Sequence, residues 1–119
     1  MLEKPYKKLE VWQKAINLVR ETYEMTSTFP KSEEYGLGNQ MKRAVVSIPG
    51  NISEGAARQT KREFIQFLHM AQGSLSELDT HFEVARALRY IGENVLTKLS
   101  PLMIQIDKML TGLIKSLKK

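Results

Sequence analysis

The sequence predicts an all-α protein, an antiparallel up-down-up-down four-helix bundle that forms a single domain over residues 1–119. Apolar residues recur every three or four positions along four segments, which is the spacing of one helix face. No segment shows the sustained two-residue alternation of a strand. Four amphipathic helices with short connections pack most simply as an antiparallel bundle. The predicted helices span residues 6–27, 33–54, 61–91 and 93–118.

The first helix follows Pro5 and ends before the turn at residues 28–32. Its apolar stripe consists of Leu9, Trp12, Ile16, Val19 and Tyr23. Ser32 is a plausible N-cap for the second helix, because a serine hydroxyl accepts a hydrogen bond from a free backbone N–H.

The second helix contains Pro49, and an interior proline costs roughly 3 kcal/mol because it removes a hydrogen bond and clashes with the preceding turn. The apolar stripe nevertheless continues past the proline; it consists of Leu37, Met41, Ala44, Ile48 and Ile52. We therefore predict a continuous but bent second helix.

The third helix has the clearest periodicity, and Thr60 with Glu63 has the spacing of a capping box at its start. Gly92 is expected to end it. The stripe of the third helix is Phe64, Leu68, Ala71, Leu75, Leu78, Phe82 and Ala85. In the fourth helix, Pro101 leaves two alternatives: a kink, or a break at which Ser100 caps a new helix after a short segment at 93–99.

Composition narrows the chemistry that the chain can perform. The absence of cysteine excludes disulfides, zinc–thiolate sites and cysteine nucleophiles. His69 and His81 lie about 18 Å and about 120° apart on one helix, so they do not share a metal within a subunit. We predict no metal and no cofactor. No apolar run reaches the roughly 20 residues of a membrane span and no secretion signal is visible, so we expect a cytoplasmic protein.

Polar residues at helical spacing in residues 40–58 face a second polar group in the third helix. We interpret them as a structural interhelical network formed by Arg43, Asn51, Glu54, Ser74 and Glu77. The alternative is an enzyme in which Glu54 and Glu77 act as an acid–base pair. No metal-ligand spacing or Ser/His/Asp order supports this alternative, so we predict no catalytic residues and no enzymatic activity.

The net charge of +5 and the pI of about 9.5 indicate a polyanionic partner such as RNA or DNA. The candidate phosphate-binding residues are Arg58, Lys61 and Arg62, followed by Lys4, Lys7 and Lys8. A third basic group lies at the end of the chain and comprises Lys108, Lys115, Lys118 and Lys119. Periodicity alone does not place the three groups on one surface. The apolar helix faces are wider than a single seam, which predicts self-association.

Several motifs resemble those of the bacterial four-helix bundle family encoded in intervening sequences of 23S ribosomal RNA genes. The resemblance covers about residues 7–117. It is carried by Leu37, Gln40, Arg43 and Ala44, by Ser47-Ile48-Pro49 with Asn51-Ile52 and Glu54-Gly55, and by Ala71, Gly73-Ser74-Leu75 and Glu77-Leu78. It implies a barrel-like homopentamer of antiparallel four-helix subunits with a bent second helix. The chain is also similar to the accessory variability determinants of diversity-generating retroelements, pentamers that bind nucleic acid and a reverse transcriptase.

The leading hypothesis is therefore a non-enzymatic, oligomeric bundle that associates with nucleic acid through its basic surface. The alternative is a scaffold that docks a partner protein, such as a reverse transcriptase, without contacting nucleic acid directly. In either case we expect the chain's first partner to be another copy of itself.

Overall fold

The computed structural model describes all residues 1–119 and contains four α-helices and no strand. They are α1 (Glu10–Thr26), α2 (Leu37–Ala56), α3 (Lys61–Ala87) and α4 (Glu93–Leu117). Short 3₁₀ helices at Pro5–Lys8 and Lys31–Glu33 precede α1 and α2. The predicted all-α four-helix bundle is confirmed.

The helices form a square in which each one packs against two neighbours: α1 and α3 each contact α2 and α4. Consecutive helices run antiparallel. The Ser47 hydroxyl in the middle of α2 accepts a hydrogen bond from the Ser74 hydroxyl in the middle of α3, with the two oxygens 2.6 Å apart. Near the end of α2, Gly55 lies against Phe67, which is close to the start of α3. Between α1 and α4, the Lys98 ammonium pairs with the Glu21 carboxylate at 3.3 Å.

A core of 21 buried apolar residues runs along the centre of the bundle. Its largest fully buried side chains come from all four helices and include Leu18, Ile48, Leu78, Phe82 and Ile106. Burying an aliphatic or aromatic side chain of this size stabilises the folded state by about 1.5–3 kcal/mol. The predicted stripes of α2 and α3 supply ten of these 21 residues. The predicted α1 stripe is wrong, because the residues that α1 buries in the core are Val11, Ala15, Leu18 and Met25, whereas Ile16 and Tyr23 are exposed.

Helix α2 begins at Leu37 rather than at residue 33, because Glu33 acts as a cap outside the helix. One oxygen of its carboxylate, Oε1, accepts a hydrogen bond from the Leu37 backbone N–H at 3.1 Å. A Cβ added at Gly36 would lie 2.6 Å from that oxygen, so the glycine makes room for the cap. Ser32, which was expected to cap the helix, instead lies within the preceding 3₁₀ turn.

Helix α3 ends at Ala87, four residues before the predicted boundary, because Arg89 adopts the left-handed conformation with φ 62°. The Arg89 N–H donates to the Arg86 carbonyl and the Tyr90 N–H donates to the Ala85 carbonyl, both at 2.9 Å. These two bonds form a Schellman motif, which satisfies the last carbonyls of the helix. Gly92, which was expected to end α3, is the N-cap of α4.

Both interior prolines are accommodated within continuous helices. Helix α2 passes through Pro49, as the sequence predicted, and α4 passes through Pro101 without the break considered at Ser100. Near Pro49, the Ser47 hydroxyl donates to the Ala44 carbonyl at 2.7 Å and the Asn51 amide donates to the Ser47 carbonyl at 2.8 Å. These side chains supply extra donors in the part of the helix where the proline removes one.

Candidate nucleic-acid interface

The up-down-up-down topology brings three basic segments to one end of the bundle. The start of the chain, the α2–α3 connection and the end of the chain all lie there, because each is separated from the others by an even number of helix lengths. The 3₁₀ helix at Pro5–Lys8 also packs against α2, which fixes it beside the α2–α3 connection. We call this surface the basic end; its residues are Lys4, Lys7, Lys8, Arg58, Lys61, Arg62, Lys115, Lys118 and Lys119.

The N-terminal segment is held in place by local contacts. The Gln13 side-chain amide donates to the Lys7 carbonyl at 2.9 Å. The rings of Tyr6 and Trp12 meet edge to face with centroids 5.5 Å apart. Lys4 and Lys8 remain exposed, whereas Lys7 is half-buried and donates its ammonium to the Leu2 carbonyl. This segment therefore presents two free ammonium groups beside α2.

The α2–α3 connection is ordered by the cap that the sequence predicted. The Thr60 hydroxyl accepts from the Glu63 backbone N–H at 3.1 Å and contacts the Glu63 carboxylate at 3.0 Å. Arg58 lies over the Phe67 ring, 4.8 Å from its centroid, and pairs with Glu54 at 3.1 Å. Lys61 and Arg62, in the first turn of α3, are exposed and form no ion pair.

The third segment is the last turn of α4 and the residues beyond it. Lys115, Lys118 and Lys119 are exposed and unpaired. The sequence identified this group but not its neighbours, since its proximity to residues 4–8 and 58–62 depends on the topology of the bundle. Lysines at a helix C-terminus are also favourably placed relative to the helix dipole.

Charge is distributed unequally along the bundle. Dividing each helix at its midpoint assigns residues 1–17, 47–73 and 106–119 to the half that includes the basic end. That half contains eleven basic and five acidic side chains, a net charge of +6. The other half contains seven basic and eight acidic side chains, a net charge of −1. The modest overall charge of +5 therefore hides a strong concentration at one end.

The polar residues between α2 and α3 make mainly local contacts. Across the two helices, Ser74 meets Ser47, a residue that was not assigned to the network. Asn51 donates within α2, Glu54 pairs with Arg58, and the Glu77 carboxylate lies 3.8 Å from His81. Arg43 is exposed at the edge of a shallow depression that Glu77 also lines. The predicted contacts of Arg43 and Asn51 with Glu54, Ser74 or Glu77 are therefore not among the hydrogen bonds and ion pairs of the structure.

Glu54 and Glu77 are also far apart along the bundle. Gly55, next to Glu54, lies against Phe67, and Glu77 follows Phe67 by ten residues of α3. Ten helical residues correspond to about 15 Å of rise. The two carboxylates are thus too far apart to act on one reacting group.

The opposite end contains a polar contact that the sequence analysis missed. The Tyr90 hydroxyl donates to Glu33 Oε2 at 2.8 Å, while Glu33 Oε1 caps α2. The Tyr90 hydroxyl and the Leu37 N–H lower the pKa of Glu33, and the hydrogen bond to Glu33 raises the pKa of Tyr90. The contact joins the α1–α2 and α3–α4 connections through two residues that are 57 positions apart in the sequence. No sequence periodicity indicates it, because both residues lie outside the four α-helices.

Neither histidine is part of a metal site. His69 is exposed, whereas His81 is buried and its Nδ1 has no hydrogen-bond partner. No cluster of three or more His, Asp or Glu side chains has the geometry to bind a metal ion. None of the four helices combines the length and the hydropathy needed to cross a bilayer.

Comparisons with known proteins support the fold and the family. The chain superimposes with a TM-score of 0.81 on the crystal structure of a protein of unknown function from the S23 ribosomal protein family of Bacteroides thetaiotaomicron. The two sequences are 23% identical, and the match covers 88% of this chain and 98% of that one. No curated protein matches this chain. Residues 7–112 match the family model described as 23S rRNA-intervening sequence protein. Because this match covers most of the bundle, the chain belongs to the 23S rRNA-intervening sequence protein family.

Proposed function

We propose that this chain is a non-enzymatic protein that binds the phosphate backbone of RNA or DNA through its basic end. The observation that carries the proposal is the meeting of three basic segments, distant in sequence, in a half of the bundle with a net charge of +6. Lysine and arginine side chains that neutralise phosphates release condensed counterions, which supplies most of the affinity of sequence-independent binding.

The local geometry of the basic end is consistent with phosphate binding. Lys61 and Arg62 lie at the N-terminus of α3, where the helix dipole also favours an anion. Five acidic side chains occur in the same half of the bundle, but two of them already pair with cations of their own helix: Glu10 with Lys14 and Glu54 with Arg58. These two pairs also occupy two of the eleven cations, so nine basic and three acidic side chains of this half form no ion pair.

Self-association would strengthen this binding. The homopentamer implied by the family resemblance remains a prediction, and we include a homo-oligomer in the proposal. If several subunits point in the same direction, their basic ends form one continuous cationic surface, and a single polyanion then contacts several copies at once.

The proposal is tested by titrating fluorescently labelled single-stranded RNA and duplex DNA with the protein across a series of salt concentrations. We expect the logarithm of the binding constant to fall linearly with the logarithm of the salt concentration. The variant Arg58→Glu/Lys61→Glu/Arg62→Glu should bind much more weakly, and its slope should be shallower by about three, because three cations no longer neutralise phosphates. Its circular dichroism should stay helical.

The matched control is Lys31→Glu/Arg43→Glu/Arg89→Glu, which produces the same net charge of −1 from exposed residues outside the basic end. This control should retain most of the binding. Equal losses in the two variants would mean that overall charge rather than the basic end determines affinity. Wild-type protein that shows no salt-dependent binding would refute the proposal, and a partner that stays bound after nuclease treatment would favour the scaffold alternative.

A further inference from the structure

One arginine of the basic end is held in a defined orientation by two contacts. The guanidinium carbon of Arg58 lies over the ring of Phe67, 4.8 Å from the ring centroid. A terminal nitrogen of the same group donates to the Glu54 carboxylate at 3.1 Å. A planar guanidinium that is held over a ring and at one edge has little freedom left to turn. Arg58 is therefore a fixed plane, whereas a lysine at the same position would be a mobile point charge.

The ring beneath Arg58 is fixed by the packing of α2 against α3. A Cβ added at Gly55 would lie 2.6 Å from Phe67 Cβ, so the backbone of α2 reaches the base of the Phe67 side chain. Phe67 is half-buried at this contact. The support for the Arg58 guanidinium thus belongs to the interface between two helices and not to a loop.

The other face of the guanidinium is open to solvent. The Arg58 side chain keeps 42% of its surface exposed, although Phe67 covers one face and Glu54 occupies one edge. Its charge is partly balanced by Glu54, whereas Lys61 and Arg62 form no ion pair. No other cation of the basic end lies over a ring. Its supported, exposed plane distinguishes Arg58 from the other cations around it.

The flat groups of a nucleic acid that match such a plane are its bases. Arginine planes stack on bases that are free of their neighbours, as they are in single strands. In a duplex both faces of a base are covered by adjacent base pairs, so a side chain reaches only base edges and phosphates. Lys61 and Arg62 begin α3 directly after the connection that holds Arg58, and they are placed for the phosphates next to a stacked base.

We infer that Arg58 stacks on a base of single-stranded RNA or DNA and makes the basic end selective for single strands over duplexes. The inference rests on the proposed nucleic-acid binding and adds the class of strand to it. The open face of the guanidinium contacts the base, and the N–H groups that do not face Glu54 remain available to a phosphate of the same strand. Phe67 is a positioning residue, because it holds the plane from beneath.

The inference is tested with labelled probes that separate the bases from the backbone. They are an oligothymidylate of about 12 nucleotides, a phosphate chain of the same length built on abasic sugars, and a duplex of that length. Wild-type protein should bind the oligothymidylate about tenfold more tightly than the abasic chain, because stacking on one base supplies an advantage of this order. An oligouridylate provides the corresponding RNA.

Three variants show whether the preference depends on the plane of Arg58. Arg58→Lys keeps the charge and removes the plane, so it should bind the oligothymidylate and the oligouridylate about tenfold more weakly, with the salt slope and the affinities for the abasic chain and the duplex unchanged. Phe67→Leu should lose the same preference while its circular dichroism stays helical. The matched control is Arg43→Lys, at an exposed arginine outside the basic end, which should bind every probe like wild type.

Several results would overturn the inference and leave the proposed function standing. They are equal affinity of wild type for the oligothymidylate and the abasic chain, a preference that survives in Arg58→Lys or Phe67→Leu, an equal loss in Arg43→Lys, and an effect of Arg58→Lys on only one of the DNA and RNA strands. In all of these cases binding would still fall with salt. If wild type binds none of the probes in a salt-dependent way, the proposed function itself fails.

Discussion

Gly55 and Gly73, both within helices, are expected to respond in opposite ways to substitution by alanine. A Cβ added at Gly55 would lie 2.6 Å from Phe67 Cβ and 3.0 Å from Phe64 Cδ1. Phe67 Cβ is attached directly to the backbone, so α2 and α3 would have to move apart. A Cβ at Gly73 meets nothing within 4 Å, and the same is true of Gly50 and Gly112.

The magnitudes follow from packing and helix propensity. Overpacking costs about 1–3 kcal/mol, and Gly55 gains little helix propensity because it is next to the end of α2. We therefore expect Gly55→Ala to lose about 1–2 kcal/mol of unfolding free energy. Gly73→Ala should gain about 0.5–1 kcal/mol, because glycine in a helix interior is that much less favourable than alanine.

The assay is thermal unfolding followed by circular dichroism at one fixed protein concentration, because the Tm of a protein that self-associates depends on concentration. For a chain of this length, 1 kcal/mol corresponds to about 4 °C in Tm. Gly55→Ala should then lower the Tm by about 4–8 °C, and Gly73→Ala should raise it by about 2–4 °C. A stabilised Gly55→Ala would refute the close approach of the helices, and a destabilised Gly73→Ala would mean that another surface packs against Gly73.

Two further predictions concern the end of the bundle opposite the basic end. Arg89→Gly should raise the unfolding free energy, measured by urea unfolding, by about 1 kcal/mol, because Arg89 has a φ of 62° that glycine adopts without strain. As a control, Arg20→Gly in the middle of α1 should lower the unfolding free energy by a similar amount. The pKa of Glu33 is lowered because its carboxylate accepts hydrogen bonds in the folded state. The ionised carboxylate therefore stabilises the fold above the ordinary pKa of 4.5, and this stabilisation is lost as the pH falls through the lower folded-state pKa. Tyr90→Phe should therefore lose less stability than wild type on acidification, as measured by urea unfolding from about pH 7 to pH 2; identical pH profiles would contradict this. The hydrogen bond to Glu33 raises the pKa of Tyr90, so the protonated hydroxyl stabilises the fold below pH 10 and this stabilisation is lost as the pH rises through the folded-state pKa. Wild type should therefore lose this contribution above pH 10, whereas Tyr90→Phe has none to lose.

Sequence periodicity predicts the helices well because apolar spacing follows the helical repeat, although in α1 the predicted stripe lies beside the buried one. The stripe through Ile48 and Ile52 predicted a helix that continues past Pro49, and the structure confirms this. Helix ends were harder to predict because they depend on single residues. The end of α3 was predicted too late in the sequence because Gly92 was expected to terminate the helix. The chain turns instead at Arg89, and arginine rarely adopts the left-handed conformation.

The sequence identified the basic groups of the candidate site but not their common position at one end of the bundle. Arg58, Lys61 and Arg62 are recognisable as a cluster because they are close in sequence. Their proximity to Lys4 and Lys118 depends on the packing order of the helices. The predicted polar network between α2 and α3 contains contacts that the structure does not form. Residues four positions apart on a helix are neighbours, so Glu54 contacts Arg58 and Glu77 contacts His81 within their own helices rather than across the interface.

The unequal charge of the two halves gives each subunit a permanent electric dipole along its 44 Å axis. In the field of a polyanion such a dipole experiences a torque that turns the positive end towards the strand before any contact is made. The subunit is therefore expected to arrive end-on, with its helix axes pointing at the nucleic acid. In that orientation the strand meets only the basic end, and the sides of the bundle stay free of contact with it.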